Sequence, residues 1–563
     1  MKKIRYGLLG VLFCAMLGLL TGCMDVVSEP NEGDAVAPVL NTTALTTEQK
    51  LLETGISVPV SQTLPSRFGF ETKLMVNNVA VDSFIRQEEI HFDGNHYTDL
   101  EGVITFRGDN YRSGAAYGVA DMESYTLKKA WNVNTGELKK TTGKGEWTGS
   151  GWTGQPLIIR WPEETRKVMN LYDSKKNKSD LVEVIYATMD GNIYFLDLED
   201  GSATRDKIKL GFPIKGTGSL YPDGTPLYVV GAGDDMGSDS ARTFIVDLIQ
   251  GKVIYEYGND DEFSLRTDNG SFCAFDSSAL FDVATDTLIQ PGENGVLYTT
   301  KLNTKYDGAS VSIDPSDVVK WNYTTSRTGD DEYWLGMESS AVVYDHYLYV
   351  CNNGGDLMCL DLNTMELVWS QDILDDSNAS PVLEVSQSDG TAYIYISTSL
   401  HWTKDKKDTG DIPIFKINAA TGEIVWKRTY ECKTVDGVSG GVQATACLGQ
   451  NNIDDLVYFN IARTGGKKHG KLVAIYKATG GEAWSVDLKY YSWSSPVAVY
   501  DKKGDGYIIL CDSDGNMHLL DGRTGELKDT INLGKNVEAS PAVFENTIVV
   551  GTRGKKIYAI TLE

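Results

Sequence analysis

The sequence predicts an all-β fold, an eight-bladed β-propeller whose ring is closed by a strand from the N-terminal part of the chain. Three observations predict it. A four-strand unit recurs every ~40 to 50 residues, the last unit stops one strand short, and an unused strand of the right kind stands upstream of the first unit. An α/β fold is excluded because no convincing segment with the 3.6-residue period of a helix separates the strands.

The repeating unit consists of a hairpin with one strand on either side of it. The hairpin has an apolar or alternating strand, a short turn rich in Gly, Asp and Asn, and a second strand, as in VIYATMDGNIYFLDLEDG from Val184. A serine-containing strand such as SSPVAVYD precedes it, and a turn such as KATGGEAWS leads into the fourth strand. Seven complete units follow residue 145, and the second and third are the least regular. The serines of the first strand are Ser340, Ser380, Ser495 and Ser540, and the tryptophans of the fourth are Trp369, Trp426 and Trp484.

The C-terminal unit is incomplete. It ends with the hairpin NTIVVGTRGKKIYAITLE, residues 546–563, and lacks the fourth strand that the other units have. The upstream segment YTLKKAWNVNTG, residues 125–136, places Trp131 as in the other outer strands. Pairing this segment with the last hairpin removes an exposed edge, as a closed β architecture requires. We therefore expect eight blades.

The first 22 residues have the form of an export signal. Three basic residues precede the apolar run GLLGVLFCAMLGLL, and small residues lead to Cys23. The stretch LTGC resembles the bacterial lipoprotein box, which implies that Cys23 becomes the lipidated first residue of the mature protein. The alternative is an uncleaved membrane anchor. We expect an extracytoplasmic protein that is lipid-anchored to the cell membrane, or to an outer membrane in a cell that has one.

The remaining chain divides into three segments. Residues 23–65 are polar and irregular, which predicts a flexible tether. Residues 66–100 predict a small β extension on the side or one face of the propeller, because FETKLMVNNVAVDSF reads as a hairpin that turns at Asn77 and Asn78. Residues 101–563 form the predicted propeller.

The overall charge limits the kinds of partner. The chain of 563 residues has a net charge of −26 and a pI near 4.7. Phosphate binding needs a basic surface, so nucleic acid is excluded as a partner, and the charge gives no attraction to anionic lipid. We expect a monomer that reaches the membrane through its lipid anchor.

The serine strand, the hairpin and the TGxxxW turn together resemble the repeat of the PQQ-type β-propellers. The segment ITFRGDNYRSG, residues 104–114, also resembles the FRGxxxRxG stretch that often opens such propellers. The family includes quinoprotein dehydrogenases and the propeller lipoprotein of the Bam complex, and the resemblance covers the chain from about Gly102 onward. It implies the fold, but a fold alone does not supply an activity. The RGD tripeptide, residues 107–109, lies inside this stretch and is interpreted as structural.

Membership of the dehydrogenase branch would imply PQQ and calcium. That branch typically has adjacent cysteines beside the quinone, or a CxxCH motif in haem-bearing variants, and the chain contains neither. The acidic loop DKKGDG, residues 501–506, lacks the alternating carboxylates of a calcium loop, and the six histidines show no zinc-ligand spacing. We expect no catalytic residues, no metal and no cofactor. A quinoprotein-like dehydrogenase using PQQ and calcium is the alternative.

Six cysteines follow Cys23 in the chain. Cys351, Cys359 and Cys511 fall at small-residue positions of the repeat, which predicts buried thiols that pack as small apolar side chains. A disulfide between Cys351 and Cys359 across one hairpin turn is an open alternative. The pairing of the cysteines at 432 and 447 is equally open.

Loop lengths differ between the two faces of the predicted propeller. In a four-stranded meander, the loop entering each blade and the loop between its second and third strands fall on one face. That face receives long insertions such as TTSRTGDDEYWLGM, whereas the turns before the fourth strand, such as KATGGE, stay short. Aromatic and charged side chains on long loops are typical of a recognition surface. The candidate ligand-binding residues there are Trp147, Trp152, Tyr333, Trp334, His401, Trp402, Arg463 and Trp493.

These observations predict a non-catalytic, surface-anchored scaffold that binds a cell-envelope protein or a glycan through the face with long loops. A purely structural spacer is a third hypothesis. A spacer has no physical need for one elaborated face, so the asymmetry of the loops favours binding.

Overall fold

Eight sheets follow one another along the chain as the blades of a propeller, which confirms the predicted fold class. The computed structural model describes residues 57–563 except 142, 152–153, 259, 267–272, 328–330, 402–407 and 436–439. The predicted export signal and Cys23 lie outside the described residues. Helices in the described part are short: α1 (Glu163–Val168), α2 (Asp173–Lys176), and 3₁₀ turns at Pro65–Phe68, Glu332–Leu335 and Asn451–Ile453.

The residues before blade 1 supply strands to other parts of the ring. These strands are β1 (Glu71–Val76), β2 (Val79–Val81), β3 (Glu101–Val103), β4 (Ala116–Tyr117), β5 (Leu127–Asn134), β6 (Glu137–Lys139) and β7 (Glu146–Thr148). β1 and β2 form the predicted hairpin, whose turn residues Asn77 and Asn78 have φ angles of 49° and 62°. Both values lie in the left-handed region that a two-residue hairpin turn requires. The hairpin adds β1 to the outer edge of blade 3, so the extension lies at the side of the ring.

Blades 1 to 4 begin after the β6–β7 hairpin. Blade 1 contains β8 (Leu157–Arg160), β9 (Glu183–Ala187), β10 (Asn192–Asp197) and β11 (Ile208–Lys209), and blade 2 contains β12 (Ser219–Leu220), β13 (Leu227–Gly231), β14 (Thr243–Asp247) and β15 (Lys252–Tyr257). Blade 3 contains β16 (Leu280–Asp282), β17 (Thr287–Pro291), β18 (Leu297–Lys301) and β21 (Ser316–Thr324), with a small hairpin, β19 (Lys305–Tyr306) and β20 (Val311–Ser312), inserted before its last strand. Blade 4 contains β22 (Val342–Tyr344), β23 (Tyr347–Cys351), β24 (Asp356–Asp361) and β25 (Glu366–Asp372).

Blades 5 to 8 are more regular. Blade 5 contains β26 (Val382–Val385), β27 (Ala392–Ser397), β28 (Thr409–Asn418) and β29 (Ile424–Lys433), and blade 6 contains β30 (Cys447–Leu448), β31 (Leu456–Ala462), β32 (Gly470–Tyr476) and β33 (Glu482–Leu488). Blade 7 contains β34 (Val497–Tyr500), β35 (Gly506–Cys511), β36 (Asn516–Asp521) and β37 (Leu527–Asn532). Blade 8 contains β38 (Ala542–Phe544), β39 (Thr547–Thr552) and β40 (Lys556–Leu562), and β5 completes it.

The ring closes as predicted, because β5 pairs antiparallel with β40. Trp131 stands opposite Ala559 in this pairing, and its indole N–H donates to the Leu198 carbonyl of blade 1 at 2.8 Å. The N-terminal strand therefore supplies both the missing edge of blade 8 and a bond to the next blade.

The tryptophans of the fourth strands bind the turn of the following blade. The Trp369 indole donates to the Ala419 carbonyl at 3.0 Å, and its ring covers Gly422. A Cβ at Gly422, whose φ is 73°, would lie 2.7 Å from that ring. The glycine of this turn is thus the residue that the tryptophan of the preceding blade contacts. The same contact recurs at Gly201, Gly480 and Gly525.

The repeated serines form a second connection, close to the axis. The backbone N–H of Ser278 donates to the Ser340 hydroxyl, and the N–H of Ser340 donates to the Ser380 hydroxyl, both at 2.9 Å. The chain of bonds continues from Ser380 to blades 6, 7 and 8, with distances up to 3.2 Å. The corresponding residues of blades 1 to 8, here named the serine ring, are Gln155, Thr217, Ser278, Ser340, Ser380, Thr445, Ser495 and Ser540.

Residues 101–117, here named the axial segment, fill the centre of the ring. Blade 1 is bound through β3 and blade 4 through Asn110, whose carbonyl accepts from the Val343 N–H at 2.9 Å. The Arg107 guanidinium donates to carbonyls that precede blades 6 and 7. Blades 2, 3, 5 and 8 are reached from Ile104, Arg112, Tyr111 and Ala115. One short segment therefore holds all eight blades.

The RGD tripeptide is structural, as predicted. Arg107 is fully buried, and the Asp109 carboxylate accepts the backbone N–H groups of Tyr111 and Ser113. The Arg107 side chain is therefore inaccessible to a receptor, and the Asp109 carboxylate is engaged within the turn. The thiols of Cys351, Cys359, Cys432 and Cys447 are free, so the two open disulfide alternatives do not form.

Candidate binding face

The long loops share one face of the propeller. Consecutive strands within every blade are antiparallel, so the loop that enters a blade and the loop between its second and third strands lie on the same side. This side, here named the loop face, carries the described residues within the ranges 135–156, 232–242, 325–341, 398–408 and 463–469. Contacts between loops of different blades build the candidate site there.

Three of the predicted residues form one aromatic cluster on the loop face. The ring centroids of Tyr333 and Trp334 are 4.9 Å apart, and the His401 ring lies 5.1 Å from Trp334 and 5.8 Å from Tyr333. All three contacts are edge-to-face. The buried Asp376 carboxylate holds the His401 ring through Nδ1 at 2.6 Å. Loops from blades 4 and 5 therefore present a fixed aromatic surface.

Charged residues join this cluster to the axis. The Arg266 guanidinium donates to Glu293 at 2.8 Å and lies 4.8 Å from the centroid of the Tyr333 ring. It also donates to Asn353 at 2.7 Å, and the Asn353 amide donates to Asp376 at 2.9 Å. The aromatic cluster and the acidic groups are thus parts of one hydrogen-bonded network.

A position of the repeat lines the axis on this face. It lies two residues before each member of the serine ring, and we name it the axial ring. Charged side chains occupy it in blades 2, 3 and 4, and amides that hydrogen-bond at 2.7 Å occupy it in blades 5 and 6. Its described members are Lys215, Asp276, Glu338, Asn378, Gln443, Trp493 and Glu538.

Burial and neighbouring carboxyls disfavour the charged forms of two acidic members of the axial ring. Burial raises the pKa of Asp276 to about 7, Lys215 partly opposes this increase, and Glu293 adds to it. Burial also raises the pKa of Glu338 well above its ordinary value, and the charges of Glu293 and Asp376 raise it further. A positive charge placed among these carboxyls would lower both pKa values, so the site favours a cationic group.

Trp147 extends the site toward blade 1. Its ring lies 3.9 Å from the Lys140 ammonium and 5.4 Å from that of Lys215. Because Lys215 belongs to the axial ring, Trp147 borders the acidic cluster. The loop between β5 and β8 therefore contributes to the same surface.

The other predicted residues are divided between a second group and the part of the chain that is not described. The Arg463 guanidinium lies 4.4 Å from the centroid of Tyr491 and 5.9 Å from that of Trp493. These side chains belong to the loops around blades 6 and 7. Trp152 and Trp402 lie outside the described residues.

Sequence reasoning missed the charged residues of the site. Asp276 and Glu338 stand in the motifs FDSS and MESS, two residues before the repeated serine, and Lys215 holds the same position in blade 2. That alignment was the available signal. Glu293 lies in the turn between the second and third strands of blade 3, at the position that Asn353 holds in blade 4. Arg266 lies in the loop that enters blade 3, and only the fold places the two side chains beside Tyr333.

The described residues do not fit a calcium ion at this site. They contain no group of three or more His, Cys, Asp or Glu side chains arranged to hold a metal ion. Glu293 is paired with Arg266, and Asp376 accepts from Asn353 and lies against His401. In the described part of the chain, no helix is long and apolar enough to cross a membrane.

Parts of this chain match known protein sequences. A family model described as outer membrane protein assembly factor BamB matches residues 468–563. The outer membrane protein assembly factor BamB of Legionella pneumophila (strain Paris) is 23% identical over 233 residues, which cover 40% of this chain and 49% of that protein. The β-alanine-activating enzyme of Mus musculus is 28% identical over 81 residues, 14% of this chain and 7% of the enzyme. The chain thus matches about half or less of the length of these relatives.

The propeller architecture is also found in a solved dehydrogenase structure, whereas a second structure matches more weakly. The quinohemoprotein alcohol dehydrogenase ADHIIG from Pseudomonas putida HK5 matches with a TM-score of 0.54 and 12% identity, over 84% of this chain and 83% of that one. BamB from Moraxella catarrhalis matches with a TM-score of 0.45 and 14% identity, over 78% of this chain and 98% of that one. Similarity at such identity shows the fold and not the activity. The eight blades, their serine and tryptophan contacts and the matched family model together identify the chain as a β-propeller of PQQ-like repeats.

Proposed function

We propose that the protein is a lipid-anchored scaffold outside the cytoplasm that binds another protein through its loop face. The LTGC sequence ending at Cys23 supports the anchor. The repeats that this chain shares with an outer membrane protein assembly factor support a role in protein binding.

The observation that carries the proposal is the aromatic cluster of Tyr333, Trp334 and His401. A hydrogen bond to the buried Asp376 carboxylate holds its histidine, and edge-to-face contacts hold the other two rings. Rigid aromatic side chains lose little conformational entropy on binding, and they dominate the energetics of protein interfaces. A surface of this kind is suited to a protein partner.

The acidic axial ring indicates the chemistry of that partner. Burial and neighbouring carboxyls raise the pKa values of Asp276 and Glu338, so a positive charge beside them would stabilise their charged forms. A lysine or arginine side chain placed at the axis would supply that charge. The partner is therefore a protein segment with a basic side chain flanked by apolar residues.

Capture from envelope extracts tests the proposal. The full-length protein is immobilised, and bound proteins are identified by mass spectrometry at low and at high salt. We expect Trp334→Ala and Glu338→Gln each to reduce capture of a specific partner at least about tenfold, since buried interface anchors contribute ~2 kcal/mol or more.

Tyr172→Ala is the matched control, because Tyr172 is an exposed aromatic residue of the opposite face. It should leave capture unchanged. Equal capture by all three variants, or binding of an envelope glycan in place of any protein, would contradict the proposal.

A further inference from the structure

A cavity of about 1300 Å³ opens on the face opposite the loop face. Loops between the first and second strands of blades 4, 5 and 6 form its walls, and residues 91–95 of the N-terminal extension close one side. The Phe92 N–H donates to the Asp345 carbonyl at 3.0 Å, which fixes this side to the propeller. Small-molecule sites usually measure roughly 300–1,000 Å³, so the space is sufficient for a ligand.

Lys416 lies in the wall of this cavity and is only 7% exposed. Its ammonium donates to the Lys477 carbonyl at 3.1 Å and lies 3.7 Å from the centroid of the Tyr393 ring. The nearby Glu384 carboxylate is bound by the Lys477 ammonium at 2.6 Å. No carboxylate of the described residues lies within 4.0 Å of the Lys416 ammonium. Burial lowers the pKa of Lys416, and Glu384 offsets this only in part.

A buried ammonium without a counter-charge is unfavourable, because desolvation is not repaid by an ion pair. An ammonium has three donors, and among the described residues one hydrogen bond to a carbonyl is made. A ligand with a single negative charge would supply the missing acceptor. A carboxylate meets this requirement.

The rest of the cavity surface suits a ring that carries hydroxyl groups. Tyr344 and Tyr111 lie with their ring centroids 6.1 Å apart, and the buried Tyr111 hydroxyl has no hydrogen-bond partner among the described residues. The side-chain amides of Gln450 and Asn451 also line the space. Aromatic rings beside amides and a free hydroxyl can stack on a pyranose and hydrogen-bond its hydroxyls.

The acidic lining of the cavity selects against ligands of high negative charge. Asp93, Asp389 and Asp454 are among the residues that line the cavity. These carboxylates repel a phosphate or sulfate dianion, whereas they accept hydrogen bonds from sugar hydroxyls. A monoanionic sugar therefore fits the charge pattern better than a sugar phosphate.

We propose that this cavity binds a hexuronic acid, with the sugar carboxylate on Lys416 and the pyranose ring against Tyr344. The proposal is independent of the protein partner of the loop face, since the two sites lie on opposite faces and share no residue.

Calorimetric titration of the full-length protein tests this site. The probes are sodium glucuronate, sodium galacturonate, methyl glucuronate ester, glucose and N-acetyl-dialanine. We expect one of the uronates to bind and its ester and glucose to bind at least about tenfold more weakly, because both lack the charge-assisted hydrogen bond. The dipeptide carries a carboxylate without a sugar ring and should not bind.

Two variants and a control complete the experiment. Lys416→Met keeps the aliphatic stem and removes a buried charge, so we expect it to fold and to lose uronate affinity at least about tenfold. Tyr344→Ala should weaken the binding of the uronate, although Lys416 stays in place. Lys427→Met, an exposed lysine of the same blade, should bind as the unmodified protein does. The proposal is overturned if no uronate binds, if glucose or the dipeptide binds as tightly, or if Lys416→Met retains its affinity.

Discussion

Single positions of the repeat acquire different roles in different blades. The residue two places before the serine ring is Trp493 in blade 7, whereas it is Asp276 in blade 3 and Glu338 in blade 4. The backbone geometry is the same in each case, and only the side chain changes. The axial ring is therefore the part of the propeller where chemistry can vary without altering the fold.

Asp276 makes folding stability depend on pH. Its folded pKa of about 7 lies above the ordinary value of 3.8, so the folded state holds the proton more tightly. This contribution is complete below about pH 4 and is lost as the pH rises through 7. We expect Asp276→Asn, which stays neutral, to raise the melting temperature more at pH 8 than at pH 5.

Asp307→Asn is the control, because the pKa of Asp307 is lowered in the folded state, whereas that of Asp276 is raised. Backbone N–H groups of Ala309 and Ser310 lower the pKa of Asp307, so its removal should give no gain at pH 8. Thermal unfolding of the two variants at both pH values checks the prediction. An Asp276→Asn effect of equal size at pH 5 and pH 8 would contradict it.

A comparison of Gly422 with Gly390 distinguishes two reasons why a position requires glycine, namely a positive φ angle and the lack of space for a side chain. Their φ angles are 73° and 70°, so an alanine at either position is strained by ~1–2 kcal/mol. A Cβ at Gly422 also meets the Trp369 ring at 2.7 Å, whereas nothing lies within 4 Å of one at Gly390. We expect Gly422→Ala to lower the free energy of unfolding by ~1–3 kcal/mol more than Gly390→Ala does. Urea denaturation measures the free energy of unfolding of both variants. Equal losses would show that the Trp369 ring can move away from a Cβ at position 422 at no cost.

At the scale of elements, regular units were predictable and inserted ones were not. The hairpins of blades 4 to 8 follow from alternating strands and glycine-containing turns, because both signals are local. The β19–β20 hairpin interrupts blade 3 at residues 305–312 and has no counterpart in the described parts of the other units. The sequence shows the β1–β2 hairpin, but its place on the edge of blade 3 depends on pairing between Glu71 and Thr324, which no local pattern contains.

The closing strand can be tested against a neighbouring hairpin. Deleting residues 125–136 removes β5 and exposes β40, and it also removes the buried Trp131, whose truncation alone would cost ~3–5 kcal/mol. We expect this deletion to abolish cooperative thermal unfolding or to lower the melting temperature strongly. Replacing residues 137–148 by a short Gly-Ser linker removes only the β6–β7 sheet, which belongs to no blade. Similar melting temperatures for the two deletions would refute the role of β5.

At the scale of the molecule, the binding face was predictable and its charges were not. Strand order alone assigns the long loops to one face, and Tyr333, Trp334 and His401 meet there. The acidic network joins Arg266, Glu293 and Asp376, which lie in loops of blades 3 and 5 and approach only when neighbouring blades pack together. The cavity around Lys416 was missed for the same reason, since residues from three blades and the extension form it.

The lipid anchor is tested on the whole protein in its cell. We expect Cys23→Ala to abolish lipidation, so that the chain is released in soluble form or persists as an uncut precursor. Mass spectrometry of the membrane fraction and of the medium distinguishes these products from the lipidated form. Detection of an intact Met1 in the mature protein that retains Cys23 would contradict the prediction.

Cofactor binding is tested by adding PQQ with calcium. Because the described residues do not fit a calcium ion, we expect no increase in melting temperature and no dye reduction with alcohols or sugars. A ligand present at 100 times its dissociation constant would stabilise the fold by about 2.7 kcal/mol. A clear increase in melting temperature would support the dehydrogenase alternative.

The axial segment determines the order in which the molecule can become complete. It precedes every blade in the chain, so during synthesis it is available before the blades that it will hold. Closure must wait for the last strand, since Leu127 and Leu562, which pair in the final sheet, are 435 positions apart. Contacts of such long sequence separation form slowly. Until then, the newly made protein exposes open sheet edges, and a chaperone would have its longest opportunity to act on this protein during that interval.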